Sequence, residues 1–252
     1  MRSFGILSCT IALLLTSVSL GKSSETPHWT YEGEEGPQHW ATLDHSYEEC
    51  RVGQQQSPVD LVPTVKADLP PIKFDYTEIP TEILNNGHTM QVAVPPYGLT
   101  MKVDERTYQL VQFHFHTPSE YHIEGQSFPL EIHLVHKDEN GDLAVVGVLV
   151  KEGGVNPTLE QIFWGGPEKA GQTKRLIDVK TDLNALLPEN RTYFRFMGSL
   201  TTPPCSEGVN WYEMRTPIEA SMEQIKKFQA MFPMNARPIQ PLNNRLVVED
   251  VK

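Results

Sequence analysis

The sequence predicts a single, mainly β domain with few and short helices, and three observations predict it. Several segments alternate apolar and polar residues or are rich in β-branched and aromatic types, which is the period-2 pattern of half-buried strands. Gly (17) and Pro (20) are scattered through the 252 residues with no repeat, low-complexity tract or linker-like run, so nothing divides the chain into two domains. Helix start signals are sparse.

In chain order, Met1 and Arg2 precede an apolar run from Ile6 to Val18, followed by the small or polar residues Ser19, Gly21, Ser23 and Ser24. That is the order of a signal peptide, here residues 1–22 with cleavage between about 19 and 24, leaving 23–252 as the mature domain. The run is marginal for spanning a bilayer, with a retained N-terminal anchor as the alternative, and no other stretch approaches the roughly 20 apolar residues of a transmembrane helix. A secreted or periplasmic location follows, with no stable membrane span in the mature chain.

Strands are predicted at Met90 to Val94, Leu99 to Val103, Tyr108 to His116, Leu130 to His136, Leu143 to Val150, Tyr193 to Met197 and Val209 to Met214. The Pro95-Pro96 and Asn140-Gly141 pairs mark turns between neighbouring runs, as in a largely antiparallel sheet. Thr158 with Gln161 starts a brief helix closed by Gly165 and Gly166. Ser221 opens a capping box with Gln224, after which Met222, Ile225, Phe228 and Met231 recur at near-helical spacing.

The formal charge of -11, from 32 acidic and 21 basic residues, excludes the basic face that a phosphate-tracking nucleic-acid binder needs. If Cys9 leaves with the signal, Cys50 and Cys205 remain. In an oxidising compartment they read as one disulfide, with two unpaired buried thiols as the alternative; the bridge would restrict the unfolded chain by roughly 5 kcal/mol in the loop-entropy account. Asn190-Arg191-Thr192 is a glycosylation sequon, relevant only in a eukaryotic secretory pathway.

The chemistry is carried by histidines. In Gln112-Phe113-His114-Phe115-His116 the strand alternation turns Gln112, His114 and His116 to one face and the two phenylalanines to the other. In Glu131-Ile132-His133-Leu134-Val135-His136 the same parity groups Glu131, His133 and Val135 and turns His136 away. If the two strands pair, three imidazoles converge and leave a fourth tetrahedral position open, the arrangement of a catalytic zinc site. Gln112 and Glu131, each two residues before a ligand, are placed to hold the second ring nitrogen. Cobalt or iron would fit the same donors, and availability partly decides. His122, in a polar turn, reads as a surface residue.

These segments resemble a known family: QFHFH, SEYHIEG, LEIHLVH and GSLTTPP look like the motifs of the α-carbonic anhydrases. The resemblance runs in order from His28-Trp29-Thr30-Tyr31 through Gly36-Pro37-Gln38-His39-Trp40, Gln55-Gln56-Ser57-Pro58-Val59-Asp60, Asn85-Asn86-Gly87-His88 and Leu143-Ala144-Val145-Val146-Gly147 to Arg237-Pro238 and Gln240-Pro241. It implies a large twisted sheet of about ten strands, mostly antiparallel, with the metal at the base of a conical cleft. It implies zinc on His114, His116 and His133, and reversible hydration of carbon dioxide to bicarbonate and a proton by zinc-bound hydroxide. By resemblance Thr201 accepts the hydroxide's hydrogen bond while donating to Glu120, and Thr201 and Thr202 face the substrate beside a wall of Val135, Val145, Leu200 and Trp211. His88 corresponds to the proton shuttle, with Tyr31, Asn86 and Gln91 ordering water around it. The short connection Thr117-Pro118-Ser119-Glu120-Tyr121 is more like bacterial and plant-type members, and Tyr121 stands where many relatives carry another His. A non-catalytic carbonic-anhydrase-like binding module is the alternative, which the loss of a ligand would favour. The oligomeric state, monomer or homodimer, is left open.

Overall fold

The structure, a computed structural model, describes residues 27–252 apart from Tyr97; the predicted signal peptide and its predicted cleavage site lie outside the described residues. The predicted strands are present, within a residue or two, at Met90–Ala93, Thr100–Val103, Arg106–His116, Leu130–Lys137, Leu143–Glu152, Tyr193–Ser199 and Glu207–Met214. They form the centre of one 13-stranded sheet. Its main path runs from Thr173–Thr181 through Ile79–Asn85, Met90–Ala93, Arg106–His116, Leu130–Lys137 and Leu143–Glu152. It continues through Glu207–Met214, Tyr193–Ser199 and Val248–Asp250 to Val65–Ala67.

The sheet exceeds ten strands through three-residue pieces such as Val65–Ala67, Lys73–Asp75, Ile218–Ala220 and Val248–Asp250, too short to show a period. It is mixed: Leu143–Glu152 runs parallel to both Glu207–Met214 and Ile218–Ala220. The Asn140-Gly141 turn joins two strands that pair, with Gly141 at φ 91°, a backbone angle that glycine adopts freely. The Pro95-Pro96 turn does not join a hairpin, because Met90–Ala93 and Thr100–Val103 both lie along Arg106–His116. A separate parallel pair, Asp60–Leu61 with His122–Ile123, holds His122 half-buried rather than on the surface.

Both faces of the central sheet are covered. On one, Phe113, Phe115, Ile132, Leu134, Val146 and Val148 pack against Leu159, Ile162 and Phe163 of the helix Pro157–Gly165 and Ile225 and Phe228 of the helix Met222–Met231. The rings of Phe115, Phe163 and Phe228 meet with centroids 5.0–5.8 Å apart, and each such buried side chain stabilises by about 1.5–3 kcal/mol. On the other face, Val145, Trp211, Tyr121 and Phe196 gather with Val59 and Leu61.

Met222–Met231 begins as predicted: the Ser221 hydroxyl accepts from the Gln224 N–H at 3.2 Å, and Gln224 reaches back to the Ser221 N–H at 3.0 Å. The other helix starts earlier than Thr158. Asn156 is its cap, accepting from the N–H groups of Thr158 and Leu159, and Pro157 fills the first turn, where its missing N–H costs nothing. Cys50, in the single turn Glu49–Val52, is bonded to Cys205, with Cα atoms 5.0 Å apart across 155 residues. No helix among the described residues is long and apolar enough to cross a membrane.

Candidate metal centre

Strand pairing lays the site out as a grid. One row crosses the sheet as Gln91, His114, His133, Gly147 and Glu213; the next runs Ala93, Gln112, Val135, Val145 and Trp211. On the other side of the first row, His116 faces Glu131, which faces Leu149. Alternate residues of a strand share a face, so all three rows open on the same side.

The register depends on a bulge. Leu110 pairs with His136 and Gln112 with Val135, so Val111 is the extra residue that switches the strand's inward parity. Tyr108 and Leu110 before it, and Phe113 and Phe115 after it, all enter the same core. Without the bulge the histidines would sit on the opposite face from His133.

Each ring uses one nitrogen on the protein. His114 Nδ1–H donates to Gln112 Oε1 at 2.9 Å, His133 Nε2–H to Glu131 Oε1 at 2.7 Å, and His116 Nδ1–H to the main-chain carbonyl of Asn235 at 2.7 Å. The remaining nitrogens, Nε2 of His114 and His116 and Nδ1 of His133, face inward, and the potential ligand atoms lie within 4.8 Å of one another. Burial lowers the pKa of all three rings, that of His133 to about 3. They are therefore neutral and carry lone pairs at neutral pH. His116 Nε2 is buried with no hydrogen-bond partner. An orphaned acceptor among converging neutral imidazoles fits a divalent metal ion, which would satisfy all three lone pairs.

Glu131 lies behind the His133 ring, whereas Glu120 lies on the side of the inward nitrogens, its Oε2 3.9 Å from His133 Nδ1. Glu131 Oε2 accepts the N–H groups of Glu120 and Tyr121 at 2.7 and 2.9 Å, while Glu120 Oε1 accepts the Arg237 N–H at 2.8 Å. Glu120 Oε2 lies 3.5 Å from His116 Nε2. Burial pushes Glu120 up to about 7, opposed by His116, the Arg237 N–H and the nearby Thr201 side chain. Burial likewise pushes Glu131 up to about 7 against its two N–H donors. Thr201 is buried on the loop after Ser199. That loop is tied down where Leu200 N–H donates to the Ser206 carbonyl, Cys205 N–H to the Thr202 carbonyl, and Cys205 bonds Cys50.

The predicted apolar wall is contiguous: Val135 is paired with Val145 and Val145 with Trp211, and half-buried Leu200 packs on the same cluster. Trp211 is aimed by its Nε1–H, which donates to the Ser199 carbonyl at 3.0 Å. Thr202 is half-buried on the adjoining loop. Tyr121, fully buried, packs on Trp211 with ring centroids 4.7 Å apart.

At the rim, His88 stacks flat on Trp29, centroids 3.7 Å apart and 4° from parallel, with the edge of Tyr31 6.4 Å away. Burial, with His28 nearby, lowers the His88 pKa below its usual value. Burial and the Glu120 charge raise that of Tyr31. Gln91 pairs directly with His114. Asn86 is exposed, and its Oδ1 is committed to the N–H groups of His88 and Thr89 at 2.9 Å each. Only its amide nitrogen is left to meet water.

Asn235 and Glu213 stand outside the motifs, and Trp29 and Arg237 lie within them with no role that the sequence alone assigns. Asn235 acts on His116 through a backbone carbonyl, which any residue type carries. Arg237, also buried, donates to Gln56 Oε1 and to the carbonyls of Ser57 and Cys50.

The sequence model of eukaryotic-type carbonic anhydrases matches residues 35–251. A protein named carbonic anhydrase from Nostoc sp. is 42% identical over 253 residues, 98% of this chain and 94% of its own. Another so named, from Klebsiella pneumoniae, is 45% identical over 224 residues, 88% of this chain and 91% of its own. Among solved structures, the α-carbonic anhydrase of Thermovibrio ammonificans, in complex with the inhibitor sulfanilamide, aligns with a TM-score of 0.85 at 43% identity, over 89% of this chain and 100% of that one.

Proposed function

The chain belongs to the eukaryotic-type, or α, carbonic anhydrase family of enzymes, and from that premise we propose that it hydrates carbon dioxide reversibly to bicarbonate with zinc held by His114, His116 and His133. The observation that carries this reading is the convergence of three neutral imidazole nitrogens, with that of His116 buried and lacking a hydrogen-bond partner. Zinc bound there supplies a Lewis acid that makes a nucleophile of water near neutral pH, an effect for which carbonic anhydrases are the standard example.

The chain's own residues do the rest. Gln112, Glu131 and the Asn235 carbonyl fix the ring tautomers so that the lone pairs point inward. With a divalent ion held by the three rings, Glu120 would be favoured in its ionised form. As a carboxylate Glu120 only accepts, so the Thr201 hydroxyl donates to it and keeps a lone pair for the proton of the attacking water-derived oxygen. That bond orients the nucleophile before reaction. The Thr201 main-chain N–H and Thr202 meet the substrate oxygen, while Val135, Val145, Leu200 and Trp211 give linear, apolar carbon dioxide a matching wall. His88, with a pKa below the usual histidine value, relays the released proton to buffer through water ordered by Tyr31, Asn86 and Gln91. The Cys50–Cys205 bond is consistent with an exported chain, and the mature form is read as secreted or periplasmic.

Stopped-flow carbon dioxide hydration by the mature chain, with zinc measured on the same sample, tests the reading. Fast turnover with about one zinc per chain, both lost in His114→Ala, is the expected result. Zinc bound without turnover would overturn it.

A further inference from the structure

His88 does not simply sit in a turn; its backbone is held from both sides. Its N–H donates to Asn86 Oδ1 at 2.9 Å, and its carbonyl accepts from Asn235 Nδ2 at 2.9 Å. The same Asn235 nitrogen donates to the Phe115 carbonyl at 2.9 Å, and Asn235 Oδ1 accepts the Thr117 N–H at 2.6 Å. The side chain is 1% exposed, and both amide hydrogens and the oxygen are in use. One buried amide thus clamps His88 onto Phe115 and Thr117, the two neighbours of His116. The Asn235 main chain separately accepts the His116 ring at 2.7 Å and donates to the Thr117 carbonyl at 3.0 Å. Thr89 reinforces the junction, its hydroxyl donating to the Phe115 carbonyl at 2.5 Å.

We propose that the Asn235 side chain is a positioning residue for proton transfer: it sets the distance and direction of the His88 relay relative to the metal strand, independently of the carbonyl that orients His116. A relay through water depends steeply on where its ring is anchored, because each hydrogen bond of the chain must close. Holding the His88 carbonyl to the residue before a metal ligand fixes that anchor with a single side chain. Trp29, stacked on the ring, then limits which way it turns. The proposal rests on His88 being the relay.

The test uses Asn235→Asp, which keeps the oxygen for Thr117 N–H and the volume while losing the amide donors, and Asn235→Ala as the larger deletion. If Asn235→Ala fails to fold, Asn235→Asp alone decides. In dilute buffer kcat for hydration is expected to fall about tenfold, with kcat/KM changed less than about twofold, because proton release limits the first and not the second. Zinc content stays unchanged, and concentrated imidazole buffer restores kcat. In the metal-free protein, amide exchange in the 86–89 turn speeds up. His88→Ala combined with Asn235→Asp is no slower than His88→Ala alone. If kcat and kcat/KM fall together with zinc, Asn235 serves only the metal ligand and the proposal is overturned; an unchanged kcat overturns it equally. The relay reading fails separately, and the proposal with it, if His88→Ala leaves kcat in dilute buffer intact.

Discussion

Glu213 is the residue whose environment least suits it. It is fully buried, neither carboxyl oxygen has a hydrogen-bond partner, and it occupies the side-chain space that Gly147 leaves empty: a Cβ on Gly147 would come within 1.6 Å of Glu213 Oε2. Burial, with the Glu131 carboxylate adding to it, raises its pKa well above the ordinary 4.5. Between 4.5 and that raised value the folded chain keeps a proton that the unfolded chain has released, so the group costs stability increasingly as pH rises through the window. Glu213→Val is therefore expected to stabilise the protein by about 1–3 kcal/mol near neutral pH, with the gain shrinking as pH falls toward 4.5. Urea unfolding of both proteins across that range checks the sign. Nothing in the sequence flagged Glu213, because its isolation follows from the strand pairing that brings Gly147 beside it.

At the scale of elements, the capping box of Met222–Met231 gives a clean case. Ser221→Ala removes the acceptor for the Gln224 N–H and should cost about 1 kcal/mol, read as a lower melting temperature with zinc content unchanged. Gln224 also bridges to Asn156, accepting its N–H and donating to its carbonyl at 3.0 and 2.7 Å. One side chain thereby serves the starts of both long helices, and Gln224→Ala should cost more than Ser221→Ala in the same measurement. The cap was legible because it is local and chemically specific. The strands of the centre were legible because one face is apolar and the other carries the site. Thr173–Thr181 was not: it is an edge strand, exposed along most of its length and studded with Lys174, Arg175 and Lys180, charges that suit an edge and erase the alternation. The bulge at Val111 left a trace that was missed, the step from even-numbered Tyr108 and Leu110 to odd-numbered Phe113 and Phe115. His116's acceptor left none.

For the whole molecule, the Cys50–Cys205 bond closes a loop of 155 residues that contains every proposed metal ligand. Reduction is expected to lower stability by about 5 kcal/mol in the loop-entropy account, measured as the shift of the urea midpoint with and without reductant. The same long reach governs how the centre comes into being. The three rings lie between residues 114 and 133, and Gln112 and Glu131 aim two of them locally, but the third depends on groups from far downstream: His116 is 119 residues from Asn235, and Glu120 beside it is 117 from Arg237. A ribosome releases the rings well before the Asn235 support of His116 exists, and a metal site missing one such outer partner binds about 10- to 100-fold more weakly. If the site holds zinc as proposed, a nascent thread would compete poorly for it. Tight loading of the proposed site would then mark a chain whose C-terminal segment has already docked, so metal uptake would double as a report that folding is finished.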